Sequence, residues 1–326
     1  MDNDINSLFK NQTNVVDIGA RYGLHPTWKN NHDQITFYLI EADPEEAKRL
    51  EIKFKAKEKV NIFNYAIMQK KGIYQLKILN NPAMSQTEER LDISPLFWEE
   101  KKYQTNIEKS IEVNGITLNE FRRKINKPIH FLKLDTEGTE YSILKNFNFF
   151  HELLGIRCEV SFSKIFASQT SDTFSSIHKL LLSNNFVLLN IDYDGKGEHY
   201  SKYVNNHERY GILQTTDAIW IRNPQNILQS KNAFDILNYV NFLFKNNAPD
   251  LGLYILEKKK ESIQSYNETK QFKFAAYLTA KYFYNLKWIP NQNIHEHKKF
   301  YENVFNLNYP SMNQFNESNY YNNLGI

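Results

Sequence analysis

The chain has 326 residues, 40 of them Lys or Arg and 37 Asp or Glu, with a net charge of +3. Basic residues are scattered among acids, so no stripe suited to a nucleic acid stands out. Cys158 is the only cysteine, which excludes a disulfide within the chain and fits a reducing cytoplasm.

The opening segment, "MDNDINSLFKNQTN", is polar and acidic and lacks the basic-then-apolar order of a signal peptide. No run of eighteen apolar residues exists, so no membrane span is expected. Val15 and Val16 then lead into "DIGARYG", a short strand ending in a glycine turn. A second strand runs from Ile35 to Ile40 and ends at Glu41. Pro44 follows at a helix start, with Ala47, Leu50 and Phe54 on one face. "VNIFNYAI" and "GIYQLKIL" read as further strands. The stretch from Asn80 to about Gln104 has little periodicity and reads as a long loop of the functional or disordered kind. "SIEVNGITLNEFRRK" gives a strand and a short helix.

"HFLKLDTEGTEYSIL", His130 to Leu144, is the most unusual stretch. An apolar strand carries Lys133 inside it and ends on Asp135 and Glu137, with Gly138 and Glu140 behind. Apolar residues then resume at helical spacing. In an open α/β sheet, the carboxyl ends of the strands are where ligands bind. "GIRCEVSF" is another strand, carrying Glu159, and Ser171 to Ser183 is a helix. "FVLLNIDYDG" and "TDAIWIRN" read as a closing strand pair. This alternation predicts a mainly parallel sheet flanked by helices. Near Arg222 to Asn226 the pattern changes to amphipathic helices, and the last stretch is polar. Two domains are therefore expected: 1–225, and a helical extension with a polar tail over 226–326.

"DIGARYG" lacks the three glycines of a dinucleotide fingerprint. With Glu41 about twenty residues on, where an acid commonly grips a ribose diol, it suits a nucleoside cofactor without a pyrophosphate. S-adenosylmethionine fits that description. "VVDIGARYG", "FYLIEADPE", "NYAI", "ITLNEF", "FLKLDTEGTEYSIL" and "RCEVSF" occur in the order and rough spacing of the FkbM-type methyltransferases, and the chain resembles that family over about residues 12–222. The resemblance implies a class I, Rossmann-like methyltransferase fold and S-adenosylmethionine as cofactor. It implies a hydroxyl acceptor on a sugar or natural product, as in surface-polysaccharide pathways. By the match, Asp17, Gly19 and Ala20 hold the methionine portion and Glu41 the ribose. Asp43 lies near the ribose, Tyr65 and Ala66 border the adenine, and Asp135 ends the strand beside the methyl group. The chain departs from the family at Arg21, where Asn is frequent, and at Asn119, where Asp is frequent.

Several roles stay open. Asp135 could steer the cofactor's ammonium or receive a proton. Glu137 is weighed as catalytic and equally as an anion favoured by a helix N-terminus, the stronger reading for Glu140. Lys133 is either an ion-pair partner of Asp135 or a catalytic lysine. His199 is the first candidate among histidines for a base, with His207 in the same loop; His25 follows the first turn and could approach the acceptor. His130 and His178 read as structural. No metal-ligand set is assigned, although carboxylates from neighbouring strand ends are weighed as one. Acceptors other than a glycan are a small metabolite or lipid; a non-catalytic assembly module is the reading outside enzymes. The C-terminal helices are a candidate surface for a second subunit.

Overall fold

The computed structural model describes residues 12–28, 35–89, 103–164, 173–192, 215–285 and 294–310. Ten strands are present among them: β1 Thr13–Ile18, β2 Ile35–Ile40, β3 Val60–Phe63, β4 Ala66–Ile67, β5 Gly72–Leu79, β6 Ile107–Ile116, β7 Phe131–Leu134, β8 Gly155–Ser161, β9 Phe186–Ile191 and β10 Thr215–Arg222. Seven form one sheet in the order β3-β2-β1-β7-β8-β10-β9. β2 with β3, β1 with β7, and β7 with β8 run parallel; β10 is antiparallel to β8. This is the doubly wound, class I methyltransferase arrangement. The physical reason shows in the burial: every residue of β1, β2 and β7 is buried, as central strands covered on both faces must be.

A second sheet, β4-β6-β5, was not foreseen. "VNIFNYAI" reads as one strand, but the chain breaks it at Asn64 and Tyr65. Asn64 Nδ2 donates to the carbonyls of Glu41, at 2.9 Å, and Ala42, at 3.0 Å. β3 thus stays in the main sheet while β4 leaves it. Ala66, Met68, Leu76, Ile78 and Val113 form a small separate core there.

The connecting helices carry their start signals. α1, Pro44–Phe54, has Pro at its first turn and is capped by Asp43, whose carboxylate accepts from Glu45 N–H. α2, Leu118–Ile125, has a full capping box made by Thr117 and Glu120. Asn119 accepts from Asn148 N–H at 3.0 Å and donates to Asn146 O at 2.7 Å. An Asp here could accept but not donate, so this departure from the family pattern tunes a loop contact. α3, Glu140–Leu144, is short; α4, Thr173–Ser183, buries Ile177 and Leu181.

The chain divides into two compact units at Ile221–Arg222. The first unit, from Asn14, holds both sheets. In the second, the regular elements among the described residues from Pro224 on are helices: α5 Pro224–Gln229, α6 Ala233–Lys245, α7 Pro249–Lys258, α8 Lys260–Gln264, α9 Lys270–Asn285 and α10 Ile294–Phe305. Its core includes Leu237, Val240, Ile255, Phe272 and Tyr301, all fully buried. No helix among the described residues is long and apolar enough to cross a membrane.

Candidate functional site

The sheet order reverses between β1 and β7. From β1 the chain winds out to β2 and β3; later it returns on the other side with β7 and β8. Ligands of open α/β sheets bind at such a switch point, outside the carboxyl ends of the strands. Three strand ends are tied together here. Asp135 N–H donates to Ile18 O at 3.1 Å, and the N–H groups of Gly19 and Ala20 donate to Ile40 O at 3.0 and 3.1 Å. Gly19 has φ 77°, and a Cβ on it would come within 1.8 Å of the Asp135 carbonyl oxygen. Only glycine allows that approach. An open cleft of about 770 Å³ begins at this junction, and its walls include Gly19, Glu41, Tyr65, Ala66, Gln86 and Asp135.

Lys133 explains the charge inside β7. Its Nζ lies 3.1 Å from Asp135 Oδ2 and 3.4 Å from Asp17 Oδ1. The parallel register sets Asp17 directly opposite Lys133. Burial works against the Lys133 charge, but Asp135, Asp17 and Asp217 together hold its pKa above the ordinary lysine range. Asp17 is pushed up to about 6, chiefly by burial and in spite of Lys133. It does not line the cleft; it supports Lys133 from behind. Of the two readings of Lys133, the ion-pair contact is what the structure contains.

After Asp135 the backbone takes left-handed conformations at Glu137, φ 55°, and Gly138, φ 105°. Glu140 holds this turn. Its buried carboxylate accepts from the Thr136 N–H and hydroxyl, both at 2.8 Å, and from Gly138 N–H at 3.1 Å. Glu140 is thus a brace for the turn. Asp135 and Glu137 line the cleft. Their carboxylates and that of Glu159, from β8, each offer an oxygen within 4.8 Å of the others. Burial first, then Glu137 and Asp135, drives the Glu159 pKa well above the carboxylate range. Carboxylates this close either share protons or hold a divalent cation. Sequence alone showed no such cluster. Behind it, Arg157 pairs with Asp192 at 2.8 Å and Asp217 at 3.0 Å.

At the β2 end the acids behave differently. Glu41 is 6 % exposed and lines the cleft. Burial pushes its pKa up to about 7, against the Asp43 N–H, which donates to Oε1 at 2.9 Å, and against Arg21. Asp43 is committed elsewhere: one oxygen caps α1 and the other meets Arg21 at 3.2 Å. It is not among the cleft residues. Arg21 lines the cleft and is held by Asp43, which gives that departure from the family pattern a place beside Glu41.

Among the histidines, His25 is lowered to about 4, chiefly by burial, with Arg157 and Lys133 acting in the same direction. Its Nδ1 accepts from Thr27 N–H at 3.3 Å. His25 therefore stays neutral at the charged end of the strands. His130 Nδ1 accepts from Asn14 N–H at 3.0 Å, and His178 Nδ1 from Trp220 Nε1 at 3.1 Å. Both have structural bonds. His199 and His207 lie outside the described residues.

One part of the cleft wall escaped sequence reasoning. Pro82, Ala83, Ser85, Gln86 and Thr87, from the start of the long loop, line it. Ser85 Oγ and Gln86 Oε1 are buried there without a hydrogen-bond partner among the described residues. The legible signal was "NNP", since Asn81 caps the turn that starts at Pro82. The residues fit a nucleoside-type cofactor: a buried acid, apolar walls at Ala66, Met68 and Leu76, and orphaned polar atoms that want a ligand.

The profile of one family, the methyltransferase FkbM domain, matches residues 17–188, more than half of the chain. No curated protein matches it. Among solved structures, it is similar to the B. subtilis m1A22 tRNA methyltransferase TrmK at 9 % identity, with 93 % of this chain and 92 % of that one covered and a TM-score of 0.31. It is similar to M. capricolum TrmK, solved with S-adenosylhomocysteine, at 11 % identity, 80 % and 95 % coverage and a TM-score of 0.31.

Proposed function

The chain belongs to the FkbM methyltransferase family, and from that premise we propose that it methylates a hydroxyl group of a glycan or an activated sugar. It is an S-adenosylmethionine-dependent methyltransferase. The cofactor, when bound, supplies a sulfonium methyl group open to in-line attack. The rest falls to the chain's own side chains.

The observation that carries the reading is the sequence of groups along the strand ends. Asp135 on β7, the Gly19 turn on β1, Glu41 on β2 and Tyr65 beyond β3 all line one cleft. Glu41 would accept from the two ribose hydroxyls, and the Gly19 turn would shape the wall at the methionine end; Ala20 is not among the cleft residues. Asp135 stands where the acceptor approaches. Held by Lys133, its carboxylate would orient the acceptor hydroxyl and take up its proton. Glu137 lines the same end and accepts a second hydroxyl of the sugar. Neighbouring carboxylates suit a polyhydroxyl acceptor, since each can accept two or more hydrogen bonds from it.

The test is incubation with isotopically labelled S-adenosylmethionine and a native glycan extract, read by mass spectrometry. Label on a sugar oxygen is expected. Label confined to a lipid or a small metabolite would move the acceptor to that class.

A further inference from the structure

We infer that the side-chain amide of Gln86 reads the exocyclic amine of the cofactor's adenine. The inference rests on the cofactor reading above.

Gln86 is 5 % exposed, lines the cleft, and its Oε1 has no hydrogen-bond partner among the described residues. A buried acceptor left unpaired is costly, so its retention calls for a donor that arrives with a ligand. The side chain is not needed to hold its own backbone. Gln86 N–H donates to Lys77 O at 3.1 Å, and Lys77 N–H to Gln86 O at 2.9 Å, in an isolated bridge to β5. Asn81 accepts from Ala83 N–H and fixes the turn before it. The position is built, and the amide oxygen is left without a partner among the described residues.

The order of the strands decides which part of the ligand it meets. The cleft runs from Asp135 over Gly19 to Glu41 and then to Tyr65. Gln86 belongs to the far end, because its bridge is to β5, which pairs with β6, which pairs with β4 at Ala66. Thr87, next in the chain, contacts Met68 Sδ. The neighbouring walls, Ala66, Met68 and Leu76, are apolar and suit the faces of a flat purine. A donor is wanted at the edge of that purine. Adenine offers one there, its 6-amino group; the ribose hydroxyls are taken by Glu41. Ser85 Oγ, also unpaired, lies one residue away on the same wall.

The experiment is calorimetry on the full chain with S-adenosylhomocysteine and with its purine analogue that lacks the 6-amino group. The wild type should bind the amine-less analogue about tenfold more weakly. Gln86→Met should bind the two alike, and Gln86→Glu, which still accepts, should keep the difference. Gln86→Ala replaces Gln86→Met if melting shows that methionine does not pack. Equal binding of the two ligands by the wild type overturns the inference while leaving the cofactor reading intact. Undiminished discrimination by Gln86→Met also overturns it. No binding of S-adenosylhomocysteine by the wild type overturns both.

Discussion

The two acidic ends of the cleft solve the same problem in opposite ways. At the β1–β7 end, Asp17 and Asp135 flank Lys133, so two carboxylates share one buried cation. At the β2 end, Arg21 is bonded to Asp43, and Glu41 is left with one backbone N–H and a pKa near 7. In the first arrangement Lys133 compensates both carboxylates, although Asp17 Oδ1 makes no hydrogen bond among the described residues. The second is unfinished, and a buried acid short of hydrogen bonds is what a ribose diol would complete. In the function proposed above, the paired end orients and reacts and the end with the unpaired acid binds.

The largest effect should come from Asp135→Asn. The amide still accepts a hydrogen bond but cannot take the acceptor's proton. Turnover should fall about 10²–10⁴-fold with the affinity for S-adenosylhomocysteine little changed. Near-normal turnover would return the search for the base to His199 and His207. Next is Lys133→Met, which strands Asp17 in the core. Loss of one partner of a buried pair costs about 3–5 kcal/mol, measurable by urea unfolding. The cost should grow with pH. Asp17 already titrates near 6 when folded, above its ordinary 3.8, so the folded state binds more protons and loses stability as pH rises through that window. Without Lys133 the window extends upward, and the deficit should be larger at pH 8 than at pH 5.

Glu41→Gln should break the comparison at its other end. Binding of S-adenosylhomocysteine should weaken by about 2–3 kcal/mol, because hydrogen bonds from the ribose to a charged acceptor are lost. The unliganded variant should nevertheless melt higher than the wild type at pH 8. Glu41 has a folded pKa of about 7 against an ordinary 4.5, so its contribution to stability is present below pH 4.5 and lost as pH rises through 7. The same shift predicts proton release on ligand binding near pH 6.5, seen as a buffer-dependent heat and absent in Glu41→Gln. The smallest effect is expected at Asp43. Asp43→Ala removes the α1 cap and should cost about 1 kcal/mol of stability, with a smaller loss of affinity than Glu41→Gln. An affinity loss equal to that of Glu41→Gln would make Asp43 a direct ligand.

Much of this was legible in the chain itself. The mainly apolar strands, the Pro44 and Thr117 helix starts, the glycine turn and the acids after β2 and β7 are local signals. They depend on backbone sterics and on periodic burial, which a linear pattern records. Gly19 was identifiable as a turn glycine, because φ > 0 is a property of one residue. What the glycine touches was not, since Asp135 reaches it from more than a hundred positions away. Asp17 illustrates the same limit. Its type and place in "DIG" suggest a cofactor contact, but parallel register puts it opposite Lys133 and under the site. The carboxylate cluster of Asp135, Glu137 and Glu159, the detour of β4 into a second sheet, and the idle amide of Gln86 were decided only by tertiary structure. Each arises where segments distant in sequence converge, and pairing across such distances leaves no period in the chain to read.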